Sequence, residues 1–498
     1  MAEIPKPEPS GLPGLDTILR GGFPKGMSYL VHGGPGTGKT TLGLQFLMEG
    51  LRRGQRVMYV SLLQNREELS TIAASHGWTL DGIEMLELPR EVREAATDAQ
   101  TLFSAVDVEL QEVTRLVLEG VKKHNPDRLL FDSLTELAVL VENEYQLRRH
   151  LFRIERELTK NDCTTLYTIN QMGSVDLIPI QTVLHGDLEM MVDRGHFSPN
   201  RRRLEVTKMR GVSFLEGAHD LRIRTGGVEI YPRLEVLHKA TGGDLDQISS
   251  GNEALDAMFG GGLEEGTACL ALGTTGAGKS TLATVYAIAA AERQVRSAIF
   301  CFDERRQTFI HRAEGLEMNL QEHLDSGMIE LHQLNVGNIP PGEFSQRIRH
   351  SVEEEGVRIV VIDSLTGYMH AMGNQASLLP QLHDLLSFLA GKGVLTFLIL
   401  ATHGAPGRDM DVDFNASYIA DTVVFLRHFE AMGKMRRCIS VIKKRHSPHE
   451  NYIREIMPGP GGLQVGPPLS QFRNVLSGTP EFIGDVDELL ESDGDHAF

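Results

Sequence analysis

Cysteine is scarce in this chain of 498 residues. Its four thiols, Cys163, Cys269, Cys301 and Cys438, stand far apart with no CxxC spacing. That excludes a disulfide framework or a cysteine-rich zinc site and suits a reducing compartment. Positive charge is also short: 49 Lys and Arg face 67 Asp and Glu, a formal net charge of −18. A general nucleic-acid binder needs a cationic surplus to neutralise phosphates, so the balance argues against that class while leaving room for a local basic patch. No apolar run approaches the roughly 20 residues that span a bilayer. The opening MAEIPKPEPS lacks the basic start and apolar core of a secretory signal. The 19 histidines include no metal-spaced cluster such as HExxH. These absences predict a cytoplasmic protein with no membrane partner.

What the chain does have is internal repetition. Residues 11–42, GLPGLDTILRGGFPKGMSYLVHGGPGTGKTTL, align without a gap to residues 251–282, GNEALDAMFGGGLEEGTACLALGTTGAGKSTL, at an offset of 240, with 13 of 32 positions identical. The copies then run in step: apolar strand, Gly-rich loop, helix, second strand, a long helical stretch, and an apolar strand ending in Asp. Strands alternating with helical patterns predict an α/β fold with a largely parallel sheet and helices on both faces. The expected organisation is a first domain over 11–240 and a second over 241–483, joined near HKATGGDLDQI. Residues 1–10 and the acidic tail 484–498 are expected to be disordered.

Each copy carries the pattern G-x-x-x-x-G-K-[ST]: Gly33, Gly34, Pro35, Gly36, Thr37, Gly38, Lys39 and Thr40 in the first, and Gly273, Thr274, Thr275, Gly276, Ala277, Gly278, Lys279 and Ser280 in the second. The glycines let successive backbone N–H groups face phosphate oxygens, and the following helix, opening with Thr41 or Thr281, offers its positive end to the same anion. Lys39 and Lys279 would reach the β- and γ-phosphates of ATP; Thr40 and Ser280 would place a hydroxyl on Mg²⁺. A lone match can be an accidental Gly-rich turn. Both loops here follow an apolar strand and precede a helical run, the context the motif requires.

The strands RLLFDSL and IVVIDSL supply Asp132 and Asp363 as further Mg²⁺ ligands, direct or through water. Turnover also needs a group that orients or deprotonates the attacking water. In RecA-type sheets it is expected at the end of the strand beside the phosphate-loop strand. In the second copy SAIFCF is followed by Asp303 and Glu304, a candidate base pair. In the first copy RVMYVSL is followed by Leu63, which polarises nothing, and Gln64, which cannot take a proton. Glu67 and Glu68 fall within the next predicted helix. Of the other features, LRRHLFRIERELTK (residues 147–160) reads as an amphipathic helix with a basic face, for interface or surface packing, and Trp78 reads as a packing residue.

On these residues the chain resembles the KaiC family of RecA-like ATPases. The likeness covers about residues 8–480. It rests on the tandem GLxxLD…GG…G phosphate-loop units, the acidic pair after the second strand, RRRLEV before TKMRG (207–211), and SYIADTVVFLRHFEAMGKMRRCISVIKKRHSPHE. That last stretch looks more like the widespread bacterial KaiC-like ATPases than the clock protein. The resemblance implies two tandem RecA-like P-loop NTPase domains, ATP hydrolysis, a hexameric homo-oligomer with ATP between subunits, and autophosphorylation. It also implies that Lys208 and Arg210 in the first ring, and Lys443 and Arg445 in the second, reach a neighbour's γ-phosphate. On its own a K-x-R pair on a strand is more often solvated surface. The second copy reads KKRH where the family often has KMRG. Ser417 aligns with a phosphoacceptor, although a serine there also suits a cap or turn; Tyr418 replaces the family's threonine.

The resulting expectation is an ATPase whose second domain turns ATP over, with possible transfer to Ser417, and whose first domain holds ATP through Lys39, Thr40 and Asp132 and hydrolyses it slowly. A signalling protein partner is expected. The alternatives are an ATP-gated signalling scaffold with little turnover and a DNA-dependent ATPase.

Overall fold

The computed structural model describes residues 6–62, 64–87, 105–140, 144–170, 178–194, 199–235, 245–335, 339–372, 375–402, 418–431, 433–477 and 480–483. The chain divides into two compact units between Arg233 and Leu234. Leu63, Ser417 and the tail 484–498 lie outside the described residues.

Each unit is built on a nine-stranded sheet. In the first, six strands run parallel in the order Gly186–Asp193, Ser28–Gly33, Thr164–Asn170, Arg128–Asp132, Val57–Ser61 and Ile83–Glu87. Arg201–Met209, Ala218–Arg224 and Gly227–Tyr231 extend the Gly186–Asp193 edge as antiparallel ribbons. The second repeats the plan: Thr422–Ala431, Ala268–Gly273, Leu395–Ala401, Ile359–Asp363, Ser297–Cys301 and Ile329–Gln333 are parallel. Lys434–Lys444, Arg454–Gly459 and Gly462–Pro468 follow antiparallel.

The sequence cause is visible strand by strand. Ile299, Val361 and Phe397 face one hydrophobic cluster while Phe300, Ile362 and Leu398 face another. Parallel strands covered on both faces must be apolar at every position rather than at alternate ones. The helix Glu144–Lys160 shows the contrasting period: Leu147, Leu151, Ile154 and Leu158 are buried, and Arg148, Arg149, Arg153 and Arg156 are exposed. Those arginines and the half-exposed Phe152 border a cavity of about 1100 Å³.

Two expectations are corrected. Residues 6–10 are ordered: Pro7–Glu8 pairs with Phe23–Pro24, and Ser10 donates from N and Oγ to Asp16, both at 2.7 Å. Glu8 is buried, 3.7 Å from the buried Arg128 guanidinium, a placement that only a folded segment can hold. The strand bearing the acidic pair is not beside the phosphate-loop strand. Ala268–Gly273 lies between Leu395–Ala401 and Thr422–Ala431, and Ser297–Cys301 is three places away, against Ile359–Asp363. A helical crossover is long enough to skip positions, so order along the chain does not set order across the sheet.

Candidate functional site

Both Gly-rich loops join a buried strand to a helix, Ser28–Gly33 to Lys39–Arg52 and Ala268–Gly273 to Lys279–Glu292. Glycine is obligatory at the strand ends. A Cβ on Gly33 would stand 2.0 Å from the Met190 carbonyl oxygen, and one on Gly273 1.7 Å from that of Leu426. Gly38 and Gly278 enter their helices left-handed, at φ 107° and 105°, where a side chain is strained. Lys39 Nζ donates to the Gly33 and Gly34 carbonyls at 2.8 and 2.9 Å, and Lys279 Nζ to those of Gly273 and Thr274 at 2.9 and 2.7 Å. Both ammonium groups are thus curled over their own loops. Burial pushes each down to about 8, against the pull of Asp132 or Asp363.

The hydroxyl and carboxylate expected to share a cation come together in both units. Thr40 Oγ1 donates to Asp132 Oδ2 at 2.8 Å, and Ser280 hydrogen-bonds Asp363. A hydroxyl and a carboxylate beside a phosphate cradle are an oxygen donor set that fits Mg²⁺. The aspartates are otherwise held differently. Asp132 also accepts from Tyr59 at 2.8 Å and from Thr168. Ladder register puts Ile299 and Ile399 at those positions in the second unit. There burial raises the Asp363 carboxyl, opposed by the Ser280 hydrogen bond and the Arg312 guanidinium.

Asp303 and Glu304 reach the second loop because the register sets Cys301 opposite Asp363. Lys279, Ser280, Asp303, Glu304, Arg312 and Asp363 all line one cavity of about 810 Å³. Asp303 accepts a hydrogen bond from Ser364 Oγ. Glu304 is gripped by Arg312, whose Nη2 and Nε donate at 2.8 and 3.4 Å. Arg312 also reaches Thr281 Oγ1 at 3.4 Å and lies over the Phe309 ring. In the first unit Gln64 follows the strand, and its carbonyl accepts from Ser61 Oγ at 2.5 Å. Glu67 and Glu68 stand inside the helix Arg66–Ser75, exposed, with Glu68 engaged in a capping box with Asn65. Position 72, in register with Arg312, is Ile72.

Lys208, Arg210, Lys443 and Arg445 are not brought to the loops of their own units. Lys208 is level with Asp187, and Lys443 with Val423, toward the opposite strand ends from the Gly-rich loops. Both pairs hold the segment entering the sheet next to the phosphate-loop strand: Lys208 donates to the Leu184 carbonyl at 2.9 Å and Arg210 to that of Thr182 at 2.9 Å. Lys443 donates to the Ala420 carbonyl at 2.7 Å and Arg445 to that of Tyr418 at 2.8 Å. Two arginines missed at the sequence level touch the loops directly. Arg202 Nε donates to the Gly36 carbonyl and Arg437 Nε to that of Gly276, each at 3.0 Å. Their signal was the shared offset of 235 with the K-x-R pairs.

Two sheets of this topology, each closing a Gly-rich phosphate cradle against an aspartate, define a tandem RecA-like P-loop NTPase. A KaiC ATPase model matches residues 8–235 and again 248–470, and the chain belongs to that family. It is similar to proteins described as circadian clock oscillator protein KaiC. It is 26% identical to that of Picosynechococcus sp. over 96% of this chain and 93% of the relative. It is 26% identical to that of Thermostichus vulcanus over 98% and 94%, and 27% identical to that of Synechococcus elongatus over 96% and 92%. No helix among the described residues is long and apolar enough to cross a membrane.

Proposed function

We propose that this protein is a ring-forming ATPase acting in signalling or regulation, with turnover concentrated in the second domain. Lys279 would hold the β- and γ-phosphates, Ser280 and Asp363 would hold Mg²⁺, and the metal would neutralise charge on the transferring phosphoryl group. Asp303 and Glu304 would orient and deprotonate the attacking water. The supporting observation is the shared cavity, which gathers the loop lysine, the hydroxyl, the strand-end aspartate and both acids.

The first domain would bind ATP through Lys39, Thr40 and Asp132 and release phosphate slowly. Nucleotide held between subunits then stabilises the assembly, because a ligand that binds only the assembled state favours it. Lys208, Arg210, Lys443 and Arg445 would act on a neighbour's nucleotide; their distance along the strands from their own loops supports this. Autokinase activity is a second reading, with Ser417 as acceptor, supported by its place one residue before Tyr418, whose carbonyl Arg445 holds.

Steady-state phosphate release tests the assignment. Glu304→Gln is expected to remove most turnover, since losing general-base catalysis costs on the order of 10²-fold or more. An unchanged rate would exclude Glu304 as part of the base.

A further inference from the structure

We propose that Glu136 is the working carboxylate of the first phosphate-loop site, standing in for Asp303 and taking the proton of the attacking water. The proposal rests on reading that loop as an ATP site. In each unit the residue after the strand-end aspartate is a buried serine, Ser133 or Ser364. Each serine donates its hydroxyl to a carboxylate. In the second unit the acceptor is Asp303, from the neighbouring strand end. In the first it is Glu136 Oε2, at 2.6 Å, from the helix Leu134–Leu140.

The two sources of the carboxylate exclude one another sterically. Glu136 lies four residues after Asp132; four residues after Asp363 stands Gly367. A Cβ on Gly367 would be 2.6 Å from Asp303 Oδ1 and 2.6 Å from Phe302 Cβ. A side chain at this helix position therefore occupies the space that the strand-end carboxylate fills. The second copy has an acid just beyond the strand and glycine on the helix. The first has Leu63 at the position aligned with Asp303 and an acid on the helix, so one carboxylate is kept while its origin changes.

The neighbourhood suits a proton acceptor. Burial raises the Glu136 carboxyl above the usual carboxylate range, opposed by the Ser133 hydrogen bond and reinforced by the charge of Asp132. In the step, the water oxygen bonds to the γ-phosphorus as the bond to the β–γ bridging oxygen breaks. ADP leaves and the water proton passes to Glu136. With Gln64 and Ile72 in place of Glu304 and Arg312, the first site has one acid where the second has two. Its turnover is slower for that reason.

The experiment uses the full chain with Asp303→Asn and Glu304→Gln, which silences the second site, and measures phosphate release in the presence of Mg²⁺ and ATP. Residual turnover is expected, and adding Glu136→Gln, which preserves shape and the hydrogen-bond partner, should lower it at least tenfold with bound nucleotide per chain unchanged. A residual rate that survives Glu136→Gln, or no residual rate at all, overturns the proposal. Lys39→Ala in the same background separates the underlying reading: if it leaves residual turnover and nucleotide content intact, the first loop is not an ATP site. A relocation arm, Leu63→Asp with Glu136→Gly, restores an acid at the position aligned with Asp303 and should retain the residual rate; its loss beside normal nucleotide content would also count against the exchange.

Discussion

Nucleotide binding should weaken as pH rises, by an amount the two loop lysines determine. Burial over the loop carbonyls puts Lys39 and Lys279 at about 8, below the ordinary lysine value. A bound triphosphate replaces that desolvation cost with direct charge neutralisation and returns each lysine toward its ordinary value. The bound state therefore carries more protons than the free state between about pH 8 and 10, and affinity is highest below pH 8. A lysine with a pKa of about 8 is roughly nine-tenths charged at pH 7 and one-tenth charged at pH 9. Per site the dissociation constant should rise about tenfold over that interval, or about 1.4 kcal/mol. Calorimetric titration with a non-hydrolysable ATP analogue and Mg²⁺, repeated in buffers of different ionisation enthalpy, reads both affinity and proton uptake. At pH 8.5 well over half a proton should be taken up per site. Affinity flat from pH 7 to 9, with no proton uptake, would refute the placement of these lysines.

Arg312→Ala is expected to lower the second site's kcat by roughly tenfold to a hundredfold by freeing Glu304, with KM for ATP little changed and stability altered by at most about 1 kcal/mol, because the ion pair is partly exposed. Arg312→Lys should recover part of the rate, and Arg312→Ala should add no loss in a Glu304→Gln background; an equal loss there would show that Arg312 does not act through Glu304. Phosphopeptide mapping after incubation with Mg²⁺ and ATP should find phosphate on Ser417; a chain with no phosphate anywhere would remove the autokinase reading.

What the sequence disclosed was local or repeated. Both Gly-rich loops, the strand-end Asp132 and Asp363, and the amphipathic helix ending at Lys160 lie where motif and periodicity predict. Glu67 and Glu68 fall inside a helix as the ungapped alignment requires. What it concealed depends on contacts between distant segments. The place of Ser297–Cys301 is fixed by its ladder with Ile359–Asp363, and a ladder leaves no mark on either strand alone. The Glu304–Arg312 pair joins a loop residue to the second turn of the helix Arg306–Glu314, and an arginine there looks like any exposed cation. Glu136 was invisible for a different reason: the alignment across the acidic pair runs at an offset of 240, whereas the aspartate-bearing segments align at 231. No single offset therefore relates both Leu63 and Glu136 to their counterparts Asp303 and Gly367. The order of residues 6–10 was hidden as well, because the composition of so short a stretch does not register the buried contacts of Glu8 and Ser10.

The division of labour between the loops is the central claim, and nucleotide accounting tests it most directly. Lys39→Ala and Lys279→Ala proteins would each be incubated with Mg²⁺ and radiolabelled ATP, freed of excess nucleotide, quenched, and scored for ATP, ADP and released phosphate per chain. The account predicts that Lys279→Ala retains about one nucleotide per chain, mostly ATP, with slow phosphate release, while Lys39→Ala keeps most of the turnover and loses the long-lived ATP. Wild-type turnover in Lys279→Ala, or long-lived ATP persisting in Lys39→Ala, would contradict it.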